Sequence, residues 1–152
     1  MSLYRVTVDW TLDGDFPARR YSRAHTITFA GGLIVPGSAS TDVVPPPYAR
    51  ADAVDPEAAF TASLSACHML WFLDFAAQAG LTVSAYRDEA EGTLAKGDDG
   101  RWRMTRVALR PQITFPHRRP TPAELDDLHH RAHEACFIAN SVTTEVVVEA
   151  PV

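Results

Sequence analysis

The sequence predicts an α+β fold, in which strands are grouped apart from two helices rather than alternating with them. Two segments, opening near residues 55 and 121, carry helix-start signals, and the stretches around them read as strands set off by glycine turns. The order is therefore strands, helix, strands, helix, strand, which is the α+β pattern. At 152 residues the chain suits one domain over 1–152, long enough to bury a core.

Tyr4 to Leu12 alternates polar and apolar residues, as a half-buried strand does. His25 to Ala30 and Leu33 to Val35 follow as strands on either side of the Gly31-Gly32 turn. Thr41 to Asp55 contains Pro45-Pro46-Pro47, which cannot join a sheet ladder, so an extended loop is expected there. Pro56 to Ala79 is the first helix: Asp55 is its N-cap, Pro56 its first residue and Gly80 its stop. Apolar residues fall on almost every face of it, which predicts a central, largely enclosed helix. Strands are expected from Val83 to Leu94 and from Arg103 to Phe115, joined by the turn Gly97-Asp98-Asp99-Gly100. Thr121, Pro122 and Glu124 form a capping box for a second helix that runs to Ala139 and ends at Asn140. Val142 to Glu149 is the last strand.

Charge and composition narrow the function. The net charge of -5 and scattered basic residues argue against a nucleic-acid partner. No basic segment followed by an apolar one opens the chain, so no signal peptide is expected and the cytoplasm is the expected compartment. Ser63, Ser65, His68 and Asp74 interrupt the apolar run around Cys67, which reads as a buried helix and not as a membrane span. In a reducing compartment a disulfide is more often transient and catalytic than structural.

The chain has two cysteines, Cys67 within the first helix and Cys136 near the end of the second. Such a pair points to thiol chemistry, with peroxide reduction foremost. A thiolate attacks the O–O bond and becomes a sulfenic acid, and a nearby cation favours the thiolate. Glu57 lies ten residues before Cys67, within roughly 80° of its azimuth, where it could orient an arginine from another segment. Cys67 reads equally well as a small core residue. His68 projects about 100° away from Cys67 and reads as a satisfied core histidine, with Ser63, Ser65 and Met69 as packing residues.

Cys136 has two readings. As a resolving thiol it would attack a Cys67 sulfenic acid and close a disulfide. Alternatively, His129, His133 and Cys136 at i, i+4 and i+7 fall within roughly 60° on one helical face, as metal ligands could. A metal- or ligand-binding protein, or a redox sensor, is therefore the alternative to an enzyme.

Asp55-Pro56-Glu57, Ser65-Ala66-Cys67 and a second helix bearing a cysteine before a last strand resemble the OsmC/Ohr family of organic hydroperoxide reductases. The resemblance covers essentially the whole chain, and the Cys-His-Met-Leu stretch resembles a branch apart from the best-known members. It implies two long central helices wrapped by antiparallel sheets in an intertwined homodimer, with sites at the subunit interface. It further implies Cys67 as peroxidatic cysteine, Cys136 as resolving cysteine and Glu57 as the acid that positions an arginine. Organic hydroperoxides would be reduced to alcohols by a dithiol of the lipoyl type, with no metal or organic cofactor, as part of a stress response. Two features depart from the family. Phe137 stands where proline usually follows the second cysteine, and no motif assigns the arginine. Arg23 is favoured, with Arg19, Arg20 and Arg50 as alternatives.

Overall fold

Alternation near the N-terminus produces a strand shorter than expected, β1 (Val6–Asp9). A computed structural model of the protein describes residues 1–149, so the last three residues of the 1–152 reading lie outside the described residues. The chain divides into two compact units, Met1–Ala59 and Phe60–Val152.

In the first unit β2 (Gly14–Asp15) and β3 (Arg20–Tyr21) form a small hairpin that the sequence reading missed. Strands β4 (His25–Phe29) and β5 (Ile34–Gly37) flank the glycine turn, where Gly32 takes a φ of 83° that side chains disfavour. They complete an antiparallel sheet of order β1-β4-β5. The proline loop is a series of turns and not an extended segment. Val44 N–H bonds Ser40 O at 2.9 Å and Tyr48 N–H bonds Pro45 O at 3.2 Å.

Helix α1 (Pro56–Gln78) starts where its signals place it: Asp55 Oδ1 accepts from Ala58 N–H at 2.8 Å. It stops at Gly80, whose φ of 73° lets Leu81 N–H reach back to Ala76 O at 2.9 Å. The expected enclosure holds for one stripe only. Leu64, His68, Phe72 and Ala76 are buried, at i+4 steps, while Ala62, Ala66 and Leu70 remain exposed within a single chain.

Each strand expected after α1 is divided in two: β6 (Ala85–Asp88) and β7 (Glu91–Lys96), then β8 (Trp102–Leu109) and β9 (Pro111–Thr114). The division has an identifiable cause. Arg110 N–H leaves the ladder for Asp88 Oδ1 at 2.6 Å, and Pro111 has no N–H to offer. β6 therefore pairs with β9 and β7 with β8, both antiparallel, and the Gly97–Gly100 turn closes the second pair as expected.

Helix α2 (Pro122–Ala135) carries the expected capping box. Thr121 Oγ1 accepts from Glu124 N–H at 3.2 Å, and Glu124 Oε2 accepts from Thr121 N–H at 2.7 Å. Thr121→Ala should cost about 1 kcal/mol, read as a lower urea midpoint, while Thr121→Ser should retain most of it. The helix ends four residues before the expected end at Ala139. Cys136 is its C-cap, at φ -67° and ψ 109°, and a 3-10 turn (Ala139–Ser141) follows. The last strand, β10 (Glu145–Val148), joins β8 in parallel, so the sheet β10-β8-β7 is mixed.

Two apolar clusters make up the core of the second unit. Phe72, Ala76, Leu81, Leu128 and Ala132 bring α1 and α2 together. Leu64, Val107 and Leu109 pack the earlier part of α1 on β8. Burial of these side chains is the main favourable contribution to holding α1, and hence Cys67, in place.

Candidate functional site

Cys67 lies on α1 between the buried Leu64 and His68 and is itself half-buried, whereas Cys136 is 1% exposed. Both are free thiols, and Cys67 lies near enough to Cys136 to raise the latter's pKa. Residues far apart in sequence thus meet because α1 packs on α2 through Phe72, Leu128 and Ala132. Burial pushes the Cys136 thiol up to about 11, and the nearby Cys67 acts in the same direction. At neutral pH Cys136 therefore keeps its hydrogen. The early end of α2 shapes this arrangement: Cys136 Sγ accepts from Ala139 N–H at 3.3 Å in the turn beyond the helix.

Phe137, the departure from proline, packs edge-on against Trp71 at 5.5 Å, one helical turn after Cys67. An aromatic contact therefore ties the chain after Cys136 back to α1. Ser65, read as a packing residue, donates to Asp88 Oδ2 at 2.5 Å. The sequence signal for it was weak: a hydroxyl in the middle of an apolar helix, and an acid at the end of a strand.

His68 is buried, as expected, but only half satisfied. Its Nε2 and His129 Nδ1 share a hydrogen bond of 3.0 Å, while Nδ1 has no partner among the described residues. Burial lowers His68 to about 4, and the neighbouring His129 and His133 add to the effect. Burial also lowers His129, against Asp126 and Asp88, which raise it.

The alternative metal set does not assemble. Among the described residues no three His, Cys, Asp or Glu side chains converge as metal ligands. His129 turns its Nδ1 to His68, and Cys136 leaves the helical path at the C-cap and faces Cys67. What remains on that side of α2 is an open cleft of about 280 Å³ lined by Asp126, His129, His130, His133, Val146 and Val148.

In the first unit, the Arg23 guanidinium lies 3.7 Å over the Tyr21 ring and donates to Tyr21 O and, at 3.3 Å, to Arg19 O. Tyr48 flanks it at 5.9 Å. Arg50 is engaged elsewhere, in a two-point pair with Asp52 at 2.8 and 2.9 Å, and Arg20 faces Asp15 at 3.6 Å. Glu57 stands in the first turn of α1, half-buried.

Residues 49–150 match the family described as OsmC-like protein. The chain belongs to the OsmC-like family. Its fold matches that of an OsmC-like protein of unknown function from Vibrio cholerae, at 48% identity and a TM-score of 0.96, over 99% of each chain. An organic hydroperoxide resistance protein OsmC from Legionella pneumophila matches over 100% of each chain at 19% identity and a TM-score of 0.71. The organic hydroperoxide resistance protein OhrB of Bacillus subtilis matches at 18% identity and a TM-score of 0.60, covering 99% of this chain and 97% of that one. The last two likenesses concern the fold. No curated protein matches the chain. The α+β architecture expected of an OsmC-like chain is borne out. No helix among the described residues is long and apolar enough to cross a membrane.

Proposed function

We propose that this OsmC-like protein is a thiol-dependent peroxidase that reduces organic hydroperoxides to alcohols. The observation that carries the reading is the neighbouring pair of free thiols, one half-buried and one enclosed, with Cys67 acting on the ionisation of Cys136. The half-buried Cys67 is the better placed to meet a hydroperoxide. Its thiolate attacks the O–O bond, the oxygen bearing the organic group leaves and takes a proton as an alcohol, and Cys67 becomes a sulfenic acid. Cys136 then attacks that sulfur as its thiolate, and the S–O bond breaks. The products are a Cys67–Cys136 disulfide and water. An external dithiol, of the lipoyl type by resemblance, restores both thiols and is itself oxidised to a disulfide.

The sequence of events fits the electrostatics. In the reduced state Cys67 helps to hold the hydrogen on Cys136. Oxidation of Cys67 to a neutral sulfenic acid removes that restraint, so Cys136 becomes easier to ionise when its attack is required. By resemblance, Arg23 supplies the cation that favours the Cys67 thiolate, and Glu57 orients it. Arg50 is neutralised by its two-point pair with the Asp52 carboxylate, whereas the ring and carbonyl contacts of Arg23 bring it no carboxylate, which favours Arg23 of the two. Ala62, Ala66 and Leu70 on α1 leave apolar surface suited to a second copy, which favours a homodimer. In this role the protein serves hydroperoxide defence in the cytoplasm.

Cys136→Ser tests the division of labour. One equivalent of cumene hydroperoxide should leave this variant with a stable Cys67 sulfenic acid, trapped by dimedone and seen by mass spectrometry. The wild-type protein should trap little and show a disulfide instead. A disulfide-free wild type carrying the same dimedone adduct would remove Cys136 from the mechanism.

A further inference from the structure

His68 and His129 join the two helices that carry the cysteines, and the peroxide chemistry above uses neither. His68 directly follows Cys67 on α1, and His129 lies seven residues before Cys136 on α2. Their rings are nearly parallel, at 13°, and Phe72 packs against His129 at 4.6 Å. The charged and titratable groups around the pair are His133 and Asp126 on α2, Asp88 on β6, and Tyr86 on β6 across Phe72.

A count of hydrogens shows why the bond depends on charge. Two neutral imidazoles carry two N–H hydrogens. One occupies the shared bond. The other is best placed on His129 Nε2, because His129 lines the open cleft whereas His68 Nδ1 is buried with no partner among the described residues. A third hydrogen, added in acid, has only His68 Nδ1 left to occupy. That creates a buried donor with nothing to accept it, which costs more than opening the pair to water.

We infer that the neutral His68–His129 hydrogen bond is a positioning clamp that sets the approach of Cys67 and Cys136, and that acid releases it. Released, the helices still carry both thiols, but disulfide closure no longer follows promptly on oxidation of Cys67. The kinetic consequence rests on the peroxidase reading. The thiol–disulfide equilibrium does not, because protein dithiol plus oxidised glutathione gives protein disulfide plus two reduced glutathiones with no net proton below the thiol pKa values.

The test is that equilibrium constant, measured from pH 7.5 to pH 4 for wild type, His129→Leu, and the double variant His68→Gln/His129→Asn. The amides of the double variant reproduce the Nε2-to-Nδ1 bond without titrating. At pH 7.5 the wild type and the double variant should favour the disulfide about ten-fold more than His129→Leu, the worth of one such bond. By pH 4 the wild type should fall most of the way to the His129→Leu level, while the double variant should not move. Equal constants for all three proteins across the range, or the same pH dependence in wild type and double variant, would overturn the clamp. If His129→Leu fails to fold, the comparison of wild type with the double variant still decides. A protein that ignores hydroperoxides yet follows this pattern would lose the peroxidase reading and keep the clamp.

Discussion

Cys67→Ser should lower hydroperoxide turnover by on the order of 10³-fold or more, a larger loss than Cys136→Ser or His129→Leu should cause. The reason is chemical. A serine hydroxyl is not ionised near neutral pH, and its oxygen cannot be oxidised to a counterpart of the sulfenic acid. The covalent step is therefore removed, not slowed. Cys136 cannot replace it, since burial leaves it 1% exposed and pushes its thiol up to about 11, so at neutral pH very little of it is thiolate. The fold should survive, because Cys67 lies outside both buried core clusters and serine is nearly its size. Turnover followed as alcohol formed from cumene hydroperoxide with a dithiol reductant, alongside an unchanged circular dichroism spectrum, measures this. A variant retaining even a tenth of wild-type turnover would place the chemistry elsewhere.

The second large effect is on stability. His68 is buried, and its folded pKa of about 4 lies below the ordinary value of 6.5. The unfolded chain therefore binds a proton at a pH where the folded chain does not. The stabilisation is fully present above pH 6.5 and is lost as the pH falls towards 4, where the folded state takes up the proton as well. Over that window His68 alone accounts for about 3 kcal/mol, at about 1.4 kcal/mol per pH unit. His129, also lowered, adds in the same direction. Carboxylates such as Glu124 and Glu149 are held low by their hydrogen-bond partners and also lose stability in acid, but they are common to every variant. Urea unfolding of wild type and His68→Gln between pH 7 and pH 4.5 isolates the histidine. The variant should show the shallower decline, and parallel declines would mean that His68 is not the group responsible.

Local signals carried much of this fold. Asp55 with Pro56, and Thr121 with Pro122 and Glu124, started both helices within a residue of their places, because capping is decided by the residues at the helix end. What the sequence concealed depends on distant partners. The strand division at Arg110 needs Asp88, twenty-two residues away. The hairpin β2–β3 has only two residues in each strand, and the Trp10, Phe16 and Tyr21 rings packed around it set no alternating pattern. The early end of α2 has no glycine to announce it, and the Asn140 side chain reaches back to Glu134 O at 2.9 Å beyond the cap.

The candidate site divides in the same way. Cys67 and Cys136 were legible as the two thiols of the chain, but their meeting follows from packing between α1 and α2 that no motif encodes. The i, i+4, i+7 spacing of His129, His133 and Cys136 suggested a metal face only because it assumed that the helix continues through Cys136. Once the chain leaves the helix there, the cysteine joins Cys67 and the histidine joins His68. In sequence His68 reads as a satisfied core residue. Its partner, sixty-one residues away, satisfies only one of its nitrogens.

The most direct measurement of the central claim is stopped-flow mixing of the reduced protein with one equivalent of cumene hydroperoxide, followed by counting thiols and by mass spectrometry. The two-cysteine reading predicts oxidation far faster than that of free cysteine, one alcohol formed per chain, and two thiols lost together as an intramolecular disulfide. Oxidation no faster than free cysteine, with both thiols still present, would contradict it.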